Sequence, residues 1–443
     1  MLKIFDTATR EKVEFEPINS DEVKMYVCGP TVYDYIHIGN GRPVVVFDVL
    51  YRLLKTMYPS VKYVRNITDV DDKINQRAME NNETIGELTA RTEKQFVDDY
   101  TALHTLSPDA QPRATEHIAE MIEIINTLID KGHAYASENH VLFRVKSWDE
   151  YGKFANKDYD EQVQGARVEI ADYKEDPADF VLWKPSNENE PGWDSPWGYG
   201  RPGWHIECSA MSKKHLGEYF DIHGGGLDLI FPHHQNEIAQ SCCSNETGKF
   251  AKYWMHNGFL MSEGEKMSKS LGNFYTINEL LKEFSGNAIR FVLLSTHYRK
   301  PLDFTKDKLA EADKLISKLS SLINSHNDIE TIDCDINEFT SALCDDLNTP
   351  LAISVMWEYF NNLKSEPNAI NKSKLLKAFD LLGIDTTAIE TVEIPTEVVE
   401  LAENRKNAKA EKDFAKADEI RDKIKSLGYE VKDTADGFEI NKI

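Results

Sequence analysis

The sequence predicts an α/β fold in which a parallel β-sheet comes first, a helical bundle follows and a small α+β module ends the chain. Two observations carry this prediction. Strand-like and helix-like patterns alternate over residues 1–110, which is typical of a parallel sheet whose strands are joined by crossover helices. From residue 306 onward, by contrast, the apolar residues recur mainly at helical spacing.

The first strand–helix unit of the predicted sheet lies at residues 24–57. Lys24–Gly29 has the pattern of a strand, and Val44–Met57 has apolar residues at helical spacing. Pro43 suits the first turn of that helix, because its missing N–H would have no intrahelical partner there. Val61–Ile67 predicts the next strand of the sheet.

An insertion separates the two halves of this sheet domain. We expect the halves at residues 1–110 and 200–250 and the insertion at residues 111–199. Within the insertion, Thr115–Lys131 predicts a helix and His140–Val145 predicts a strand. Because the alternating pattern resumes afterwards, the insertion interrupts one sheet and does not end it.

The chain after the sheet domain is predicted in three pieces. Residues 251–305 form a connecting segment, residues 306–390 a helical bundle and residues 398–443 the small module, with a linker at Glu390–Glu397. The bundle is marked by an apolar stripe and two further helical segments: Leu309, Ala312, Leu315, Leu319 and Leu322, then Pro350–Leu363 and Lys372–Leu382.

The composition is that of a globular protein. Hydrophobic residues make up 41% of the 443 residues, and no apolar run reaches the roughly 18 residues of a membrane helix. The first residues have neither a signal-peptide core nor an Arg-rich transit pattern. We therefore expect a cytosolic protein with no membrane partner, and we expect it to act as a monomer.

The charge and the cysteines exclude two further classes. With 51 basic and 75 acidic residues, the formal net charge is −24, which argues against non-specific binding to polyanions. Local basic patches can still bind a nucleic acid. The six cysteines include no Cys-x-x-Cys pair, so a zinc ribbon and a thioredoxin motif are absent. Their spread is typical of reduced cytosolic thiols.

A motif with two lysines lies at Lys266–Ser270. Lys266 and Lys269 stand three residues apart beside two hydroxyl groups. Lysine is a compact charge on a flexible stem, which suits a phosphate group that arrives and then leaves. The motif alone is also compatible with a solvated basic turn.

A second motif, Tyr35–Gly41, stands between the first predicted strand and its helix. The N-terminus of a helix is a natural site for anions. There Gly39 lets a nucleotide approach the backbone, and His37 can donate a hydrogen bond to a phosphate oxygen. Together the two motifs predict a site for a nucleotide.

A set of metal-ligating residues is also predicted. His233 and Glu237 are four residues apart on a helix expected to start near Pro232, so they share one face of it. Cys28 ends the first strand, and Cys208 lies where the sheet domain resumes. Two thiolates, one imidazole and one carboxylate are suitable ligands for zinc.

The spacing leaves alternatives to this set. His234 can replace His233, because it lies three residues before Glu237 on the same helix. Cys242 and Cys243 can compete as thiolate ligands. The thiols can equally be buried and unrelated to the histidine and the glutamate.

In their order along the chain, the two motifs resemble the HIGH and KMSKS motifs of class I aminoacyl-tRNA synthetases. That family usually has a second histidine where this chain has Asn40. Asparagine can still donate a hydrogen bond but cannot carry a charge. Asn40 therefore argues against a proton-linked role of this position, but it leaves the predicted nucleotide site unaffected.

Over nearly its full length the chain resembles the cysteinyl-tRNA synthetases of this class. The segments that carry the resemblance are Tyr26–Asp34, Asn66–Lys73, Arg201–Met211, Asp221–Leu229, Phe231–His234 and Asn236–Glu237. The resemblance implies one Zn²⁺ per chain with four ligands: Cys28, Cys208, His233 and Glu237. It also implies that L-cysteine is contacted by Cys28, Thr68, Trp204 and His233.

A zinc ion in the amino-acid pocket makes chemical sense, because cysteine and serine differ only by sulfur and oxygen. Pocket size separates such close analogues by only about 1–3 kcal/mol. Zinc prefers a thiolate to an alcohol, so a metal–sulfur contact can supply the remaining discrimination.

The resemblance further implies a Rossmann-like catalytic domain that binds Mg-ATP. The implied ATP contacts are His37, Gly39, Gly224, Gly225, Asp228 and Lys269. The implied catalytic residues are His37, Asn40, Lys266 and Lys269. They would stabilise the developing charge on the phosphates, with no covalent enzyme nucleophile.

The same resemblance implies tRNA-Cys as the third substrate. Residues 251–305 would contact the tRNA stem, residues 306–390 would bind the anticodon and residues 398–443 would add a further tRNA contact. Arg405–Arg421 offers basic residues for phosphates. Phe438 stands near the position where the family usually has a tryptophan, and we expect it to stack on a base.

Two other readings of the sequence remain. One is a ligase that activates cysteine but transfers it to an amino sugar, which would not require the residues after about 330. The other is a non-enzymatic protein that binds zinc and RNA, which would leave the motif at Lys266–Ser270 without a purpose. Exchange of ATP with pyrophosphate and charging of tRNA would separate the three.

Overall fold

The computed structural model describes residues 1–158, 161, 172–188, 190–262, 264–267, 273–386, 395–434 and 437–442. The chain divides into two compact units, Met1–Asp385 and Thr386–Ile443. The strands are β1 (Lys3–Asp6), β2 (Glu11–Glu14), β3 (Val23–Val27), β4 (Val61–Arg65), β5 (Ala134–Ser137), β6 (His140–Phe143), β7 (Phe180–Pro185), β8 (Gly200–Pro202), β9 (Phe220–Gly226), β10 (Ala251–Asn257), β11 (Leu260–Ser262), β12 (Glu265–Lys266), β13 (Leu302–Phe304), β14 (Tyr429–Thr434) and β15 (Gly437–Lys442).

Among the described residues, the first unit contains more helix than strand. Its helices are α1 (Ile38–Met57), α2 (Asp72–Asn81), α3 (Ile85–Ala102), α4 (Ile118–Asp130), α5 (Trp204–Leu216), α6 (Gln235–Ser244), α7 (Ile277–Leu280), α8 (Gly286–Leu294), α9 (Lys306–Asn324), α10 (Asn337–Cys344), α11 (Thr349–Ser365) and α12 (Ala369–Leu382). The second unit adds α13 (Thr396–Ala410) and α14 (Phe414–Ser426). Among the described residues, no helix is long and apolar enough to span a bilayer.

The central sheet of the first unit is parallel, as predicted. Its strands lie in the order β10-β9-β3-β4, and each neighbouring pair is parallel. In the middle of β3, Tyr26 lies opposite Val64 on one side and His223 on the other. The carboxyl ends of all four strands therefore lie at the same edge of the sheet, where ligands bind in such folds.

Helix α1 begins earlier than predicted, at Ile38 and not at Val44. Its first turn contains Gly39 and Asn40, which are poor helix formers in a helix interior. The first four N–H groups of a helix have no intrahelical partner. Contacts with the rest of the protein, and not the helix propensity of these residues, therefore hold this turn in place. The second predicted motif therefore forms the first turn of α1.

The insertion forms the predicted helix and strand within an antiparallel sheet. Helix α4 ends one residue before the predicted Lys131, and Gly132 follows with a φ of +80°. The strands β5-β6-β7-β8 pair antiparallel in this order. Met121 and Ile125 of α4 are fully buried and share one core with Met211 of α5, so the insertion packs directly on the helix that carries Cys208.

The predicted bundle helices are present, with one face shifted. In α9 the buried residues include Leu309, Ala312 and Leu319 as predicted, but Ile316 and Ile323 are buried in place of Leu315 and Leu322. At these two positions the buried face of α9 is therefore displaced by one residue from the predicted stripe. The two later helices match α11 and α12. Most of the predicted linker Glu390–Glu397 lies outside the described residues.

The second unit consists of α13, α14 and the hairpin of β14 and β15. Phe438 is half-buried against the small core of this unit, with the Lys406 ammonium 5.9 Å from its ring centroid. Arg405 is buried and donates to Asp433 at 2.8 Å, and Lys409 also contacts this carboxylate. These hydrogen bonds lower the pKa of Asp433 to about 2. Two of the basic residues predicted to meet phosphates are thus engaged inside the unit.

Candidate active site

The carboxyl ends of three adjacent strands bring the predicted site residues together. Cys28 directly follows β3, Thr68 lies three residues beyond the end of β4, and Gly224 lies near the end of β9. The Cys28 N–H donates to the Gly224 carbonyl at 3.1 Å, and the backbones of Thr31 and Thr68 form a parallel bridge. The loops that leave the sheet therefore stay in register beyond the strands.

Four predicted ligands meet at this edge, and we call them the buried cluster: Cys28, Cys208, His233 and Glu237. Their donor atoms all lie within 4.8 Å of one another. The Cys28 sulfur is 3.8 Å from the Cys208 sulfur and 3.6 Å from Glu237 Oε1. His233 Nε2 is 3.0 Å from the same carboxylate oxygen. Cys208, His233 and Glu237 are almost fully buried.

Each member of the cluster comes from a different local arrangement. Cys208 lies on the buried face of α5, while His233 lies in the short turn Ile230–His234 that leads into α6. Glu237 occupies the first turn of α6. The one-turn separation of His233 and Glu237 therefore survives, although the helix that carries Glu237 begins only at Gln235.

The charges inside the cluster are coupled. Burial would raise the pKa of Glu237, but the positive charges and hydrogen bonds of His223 and His233 outweigh it and lower this pKa to about 2. Burial would lower the pKa of His233, but Glu237 and Cys208 raise it to about 10. A hydrogen bond from Cys28 lowers the pKa of Cys208 to about 6 despite its burial. Burial raises the pKa of the Cys28 thiol.

The residues of the cluster fit a zinc ion by their chemistry. Two sulfurs, one imidazole nitrogen and one carboxylate oxygen form a donor set that zinc prefers. A buried carboxylate and a buried thiolate both need compensating positive charge, and a divalent cation would supply it. Binding would release the protons of Cys28 and His233, because ligands must be deprotonated.

The alternative ligand His234 also lies beside the cluster. Its Nε2 is 3.3 Å from the Cys28 sulfur, while its Nδ1 is 2.7 Å from His256 Nε2. With His223, Cys28 and Glu237 it forms a second set whose donor atoms lie within 4.8 Å of one another. This set offers one sulfur where the buried cluster offers two, so the softer buried cluster suits zinc better.

The other two candidate thiols do not take part. Among the described residues, neither potential metal set includes Cys242 or Cys243. Both pack against the core between the sheet and the insertion. Burial raises the pKa of Cys242 to about 11 and that of Cys243 to about 12, as expected for unreactive core thiols.

An aromatic wall closes one side of the buried cluster. The Trp204 ring stacks on His233 with a centroid distance of 4.3 Å, and His205 Nδ1 lies 3.0 Å from His233 Nδ1. Trp204 is 39% exposed, so it stands between the buried cluster and solvent. The wall therefore lies where an amino acid would enter.

The second group of predicted residues forms what we call the nucleotide side: residues 37–40, 224–228 and 266–270. His37 is the residue before α1, and Gly39 and Asn40 lie in the first helical turn. A Cβ atom at Gly39 would be 2.8 Å from the His37 ring and 3.2 Å from Met267 Cε. Met267 thus reaches Gly39, which brings the two sequence motifs into contact.

Only the first two residues of the lysine motif are described. Lys266 ends β12, which pairs with β11, whereas Ser268–Ser270, including Lys269, lies outside the described residues. Beyond this gap the chain returns to α1. The Ile38 N–H donates to the Tyr275 carbonyl at 3.0 Å, and Thr276 pairs with His37. The described residues on both sides of this gap therefore lie beside the start of α1.

Two glycines of β9 that the resemblance implies as ATP contacts pack closely against other side chains. Gly224 and Gly225 are buried. A Cβ at Gly224 would lie 2.3 Å from the Phe47 ring, and one at Gly225 would lie 3.0 Å from the His234 ring. Their missing side chains thus allow α1 and His234 to pack on the sheet, while Leu227 and Asp228 are exposed.

A residue that the sequence reasoning missed ties the two motifs together. Arg42 is fully buried in α1. Its guanidinium donates to four backbone carbonyls at 2.7–3.2 Å, those of Gly258, Phe259, His297 and Lys300. These carbonyls lie before β11 and β13, which pair with each other, so Arg42 holds β11, the strand that precedes the lysine motif, together with its neighbour β13. The sequence signal that could have identified Arg42 is its position two residues after Asn40, next to the motif.

Three comparisons with known proteins bear on this geometry. The family described as tRNA synthetases class I (C) catalytic domain matches residues 14–314, and the DALR domain matches residues 338–384. The cysteine–tRNA ligase of Rhodospirillum rubrum is 52% identical, with 98% of each chain covered. That of Saccharophagus degradans is 48% identical, with 100% of each chain covered.

Solved structures share the fold at low sequence identity. Mycobacterium tuberculosis methionyl-tRNA synthetase, solved in complex with methionyl-adenylate, has a TM-score of 0.60 at 14% identity, covering 82% of this chain and 89% of that one. A leucyl-tRNA synthetase from Agrobacterium radiobacter has a TM-score of 0.59 at 10% identity, covering 83% and 84%. These likenesses show the architecture of the catalytic part.

Proposed function

Because the chain belongs to the cysteine–tRNA ligase family of class I aminoacyl-tRNA synthetases, we propose that it activates L-cysteine with Mg-ATP and transfers the cysteinyl group to tRNA-Cys. The first step joins the cysteine carboxylate to the α-phosphorus of ATP and releases pyrophosphate. In the second step the terminal adenosine hydroxyl attacks the cysteinyl carbonyl and AMP leaves.

The buried cluster is the observation that carries the choice of amino acid. Its two sulfurs, imidazole and carboxylate lie together at the carboxyl edge of the sheet, beside Trp204. A zinc ion bound there would supply a strong preference for a thiolate over an alcohol. The protein's own part is to hold the four donor atoms, to exclude water by burial and to present Trp204 against the substrate.

The nucleotide side carries the activation step in this proposal. His37 and Lys269 stabilise the negative charge that develops on the phosphates, Lys266 assists, and Asn40 donates without charge. Gly39 allows the nucleotide to approach the first turn of α1, where backbone N–H groups favour an anion. Asp228, exposed beyond β9, accepts from a ribose hydroxyl or from the substrate ammonium.

We assign Gly224 and Gly225 a supporting part in this nucleotide site. Their bare backbones let Phe47 of α1 and His234 pack against β9. Close packing of this kind keeps the middle of α1 beside the strand that precedes Asp228. Because both glycines are buried, their backbone shapes the site while the exposed residues around them meet ATP.

The acceptor is tRNA in this proposal, since the helical region after residue 330 has no use in a ligase for a small acceptor. That region includes the DALR match at residues 338–384. In the second unit, Lys412 and Lys416 are exposed, while Arg405 is engaged with Asp433. We therefore assign phosphate contacts to the exposed lysines. We place the reaction in the cytosol and expect a monomer.

Two assays on the full chain test the proposal. Cysteine-dependent exchange of pyrophosphate into ATP tests activation, and charging of tRNA-Cys with radiolabelled cysteine tests transfer. We expect both, and no charging of tRNA-Ser in a matched reaction. Exchange without charging of any tRNA would contradict the tRNA acceptor, while absence of both would contradict the ligase activity.

A further inference from the structure

We propose that Glu207 is a positioning residue of the amino-acid pocket, which orients the Thr68 hydroxyl so that it accepts the substrate ammonium. The inference deepens the proposed function and rests on it. It follows from a chain of hydrogen bonds that joins the ends of β3 and β4 to the first turn of α5.

This series of hydrogen bonds begins at a backbone N–H group. The Gly29 N–H donates to Asn66 Oδ1 at 2.8 Å, which sets the orientation of this amide. Asn66 Nδ2 then donates to Thr68 Oγ1 at 3.3 Å, and Thr68 Oγ1 donates to Glu207 Oε2 at 2.9 Å. Asn66, Thr68 and Glu207 are each at most 2% exposed, so water does not compete for these bonds.

Counting donors and acceptors then decides what Thr68 can bind. A hydroxyl has one hydrogen and two lone pairs. In Thr68 the hydrogen points to Glu207 and one lone pair takes the Asn66 amide. Only a lone pair remains, so the hydroxyl can only accept. In cysteine the ammonium donates and the carboxylate does not, so Thr68 binds the ammonium end and disfavours the carboxylate end.

Glu207 is suited to this single task. Within the described residues, its side chain makes one hydrogen bond, to Thr68, and Oε1 is buried without a partner. A buried carboxyl group with so few partners destabilises a fold, which favours a functional reason for its presence. An apolar residue at this position would leave Thr68 free to turn its hydrogen toward the substrate.

The same series of hydrogen bonds also borders the buried cluster. Cys208 follows Glu207 directly on α5, and its sulfur is 3.8 Å from Asn66 Oδ1. One cysteine molecule can therefore place its thiol at the buried cluster and its ammonium near Thr68. The two contacts would recognise opposite ends of the same small substrate.

The test compares cysteine with 3-mercaptopropionate, which has the thiol and carboxylate but lacks the ammonium. For Glu207→Ala we expect the KM for cysteine in pyrophosphate exchange to rise about tenfold, the scale of one hydrogen bond to a charged group. The KM for ATP, the zinc content and the inhibition constant of 3-mercaptopropionate should stay within about twofold of the wild-type values.

A double-mutant cycle tests whether Glu207 acts through Thr68. Thr68→Val removes the hydroxyl, so adding Glu207→Ala to it should cause no further rise in the KM for cysteine. The volume-conserving Glu207→Gln keeps an oxygen acceptor and should restore most of the wild-type KM. This variant also supplies the comparison if the alanine variant does not fold.

Three outcomes would overturn the inference. These are equal weakening of cysteine and 3-mercaptopropionate, additive effects of the two substitutions, and an unchanged KM for cysteine in Glu207→Ala. If the wild-type protein shows no cysteine-dependent exchange, the proposed function fails instead, and the two failures are thus distinguishable.

Discussion

The buried cluster and the nucleotide side differ in how they are built. The cluster brings four side chains from four different segments into a core where Glu237 is fully buried. The nucleotide side lies on the rim, where Asn40 and Asp228 are exposed, and it joins the start of α1 to the strands before the lysine motif. One region is enclosed in the core, and the other lies at the rim with exposed residues.

The difference matches the two tasks that we propose for these regions. Selecting between cysteine and serine requires donor atoms that are held before the substrate arrives, because any rearrangement would weaken the discrimination. Binding a phosphate chain that must leave as pyrophosphate requires groups at an open rim. We therefore expect changes in the buried cluster to alter which amino acid is used, and changes on the nucleotide side to alter how fast it is activated.

Loss of a cluster ligand should have the largest effect. Cys208→Ser replaces a thiolate with a poor zinc ligand. We expect zinc affinity and cysteine activation to fall by more than the roughly 10–100-fold that follows from losing an outer-shell partner. Metal analysis and pyrophosphate exchange measure both quantities. Cys243→Ser changes a buried thiol outside the cluster and should keep its zinc; equal zinc content in both variants would contradict the ligand assignment.

A change on the nucleotide side should slow activation and leave selection intact. We expect Lys269→Ala to reduce adenylate formation about 10²–10³-fold, the usual scale for losing one preorganised charge stabiliser. The ratio of cysteine to serine activation should not change. Lys282→Ala, an exposed lysine outside the motif, is the matched control. A near-normal rate for Lys269→Ala would remove this residue from the mechanism.

Weakening the tie between the two motifs should have a smaller effect on rate. Arg42→Lys keeps the charge but cannot reach all four carbonyls that the guanidinium holds. We expect adenylate formation to fall about tenfold and the free energy of unfolding to fall by about 2–4 kcal/mol, since two or more charged hydrogen bonds are lost. A shift in the cysteine-to-serine ratio would show that the two regions are not separate.

A change in the scaffold should affect stability without affecting either region. Asp99 accepts from Gln95 at 2.8 Å, but among the described residues its buried Oδ2 has no partner, and burial raises the pKa of Asp99 to about 6. The folded protein therefore binds this proton more tightly than the unfolded chain, whose carboxyl has a pKa of about 3.9. Its stabilising contribution is present below about pH 4 and is lost as the pH rises through 6.

Asp99→Asn removes that dependence. We expect the variant to exceed the wild type in free energy of unfolding by up to about 3 kcal/mol at pH 8, and by roughly half as much at pH 5. Urea unfolding at the two pH values measures this. Pyrophosphate exchange should be unchanged; a loss of activity would show that α3 contributes to the site.

The sequence was informative where chemistry and spacing coincide. The two strands before Cys28 and Thr68 have clear patterns, and His233 and Glu237 keep their one-turn separation in the structure. The resemblance to a known family selected Cys28 and Cys208 from six thiols. No local pattern could have made that choice, because the two sulfurs are 180 residues apart in the chain and meet only through the sheet.

The sequence was less informative where tertiary packing decides. Helix α1 starts at Ile38 because its first turn is fixed by contacts with Thr276 and Tyr275, which propensity does not encode. Gly224 supports packing of Phe47, a reason that a glycine triplet does not reveal. No sequence pattern singles out Glu207, since its bond to Thr68 spans 139 residues.

The central claim is that the buried cluster selects the amino acid independently of the nucleotide side. The most direct test measures pyrophosphate exchange with cysteine and with serine on one preparation, before zinc removal, after chelation and after reloading. The account predicts a strong preference for cysteine that is lost with the metal and returns with it. Exchange that keeps the same cysteine preference after complete removal of zinc would contradict it.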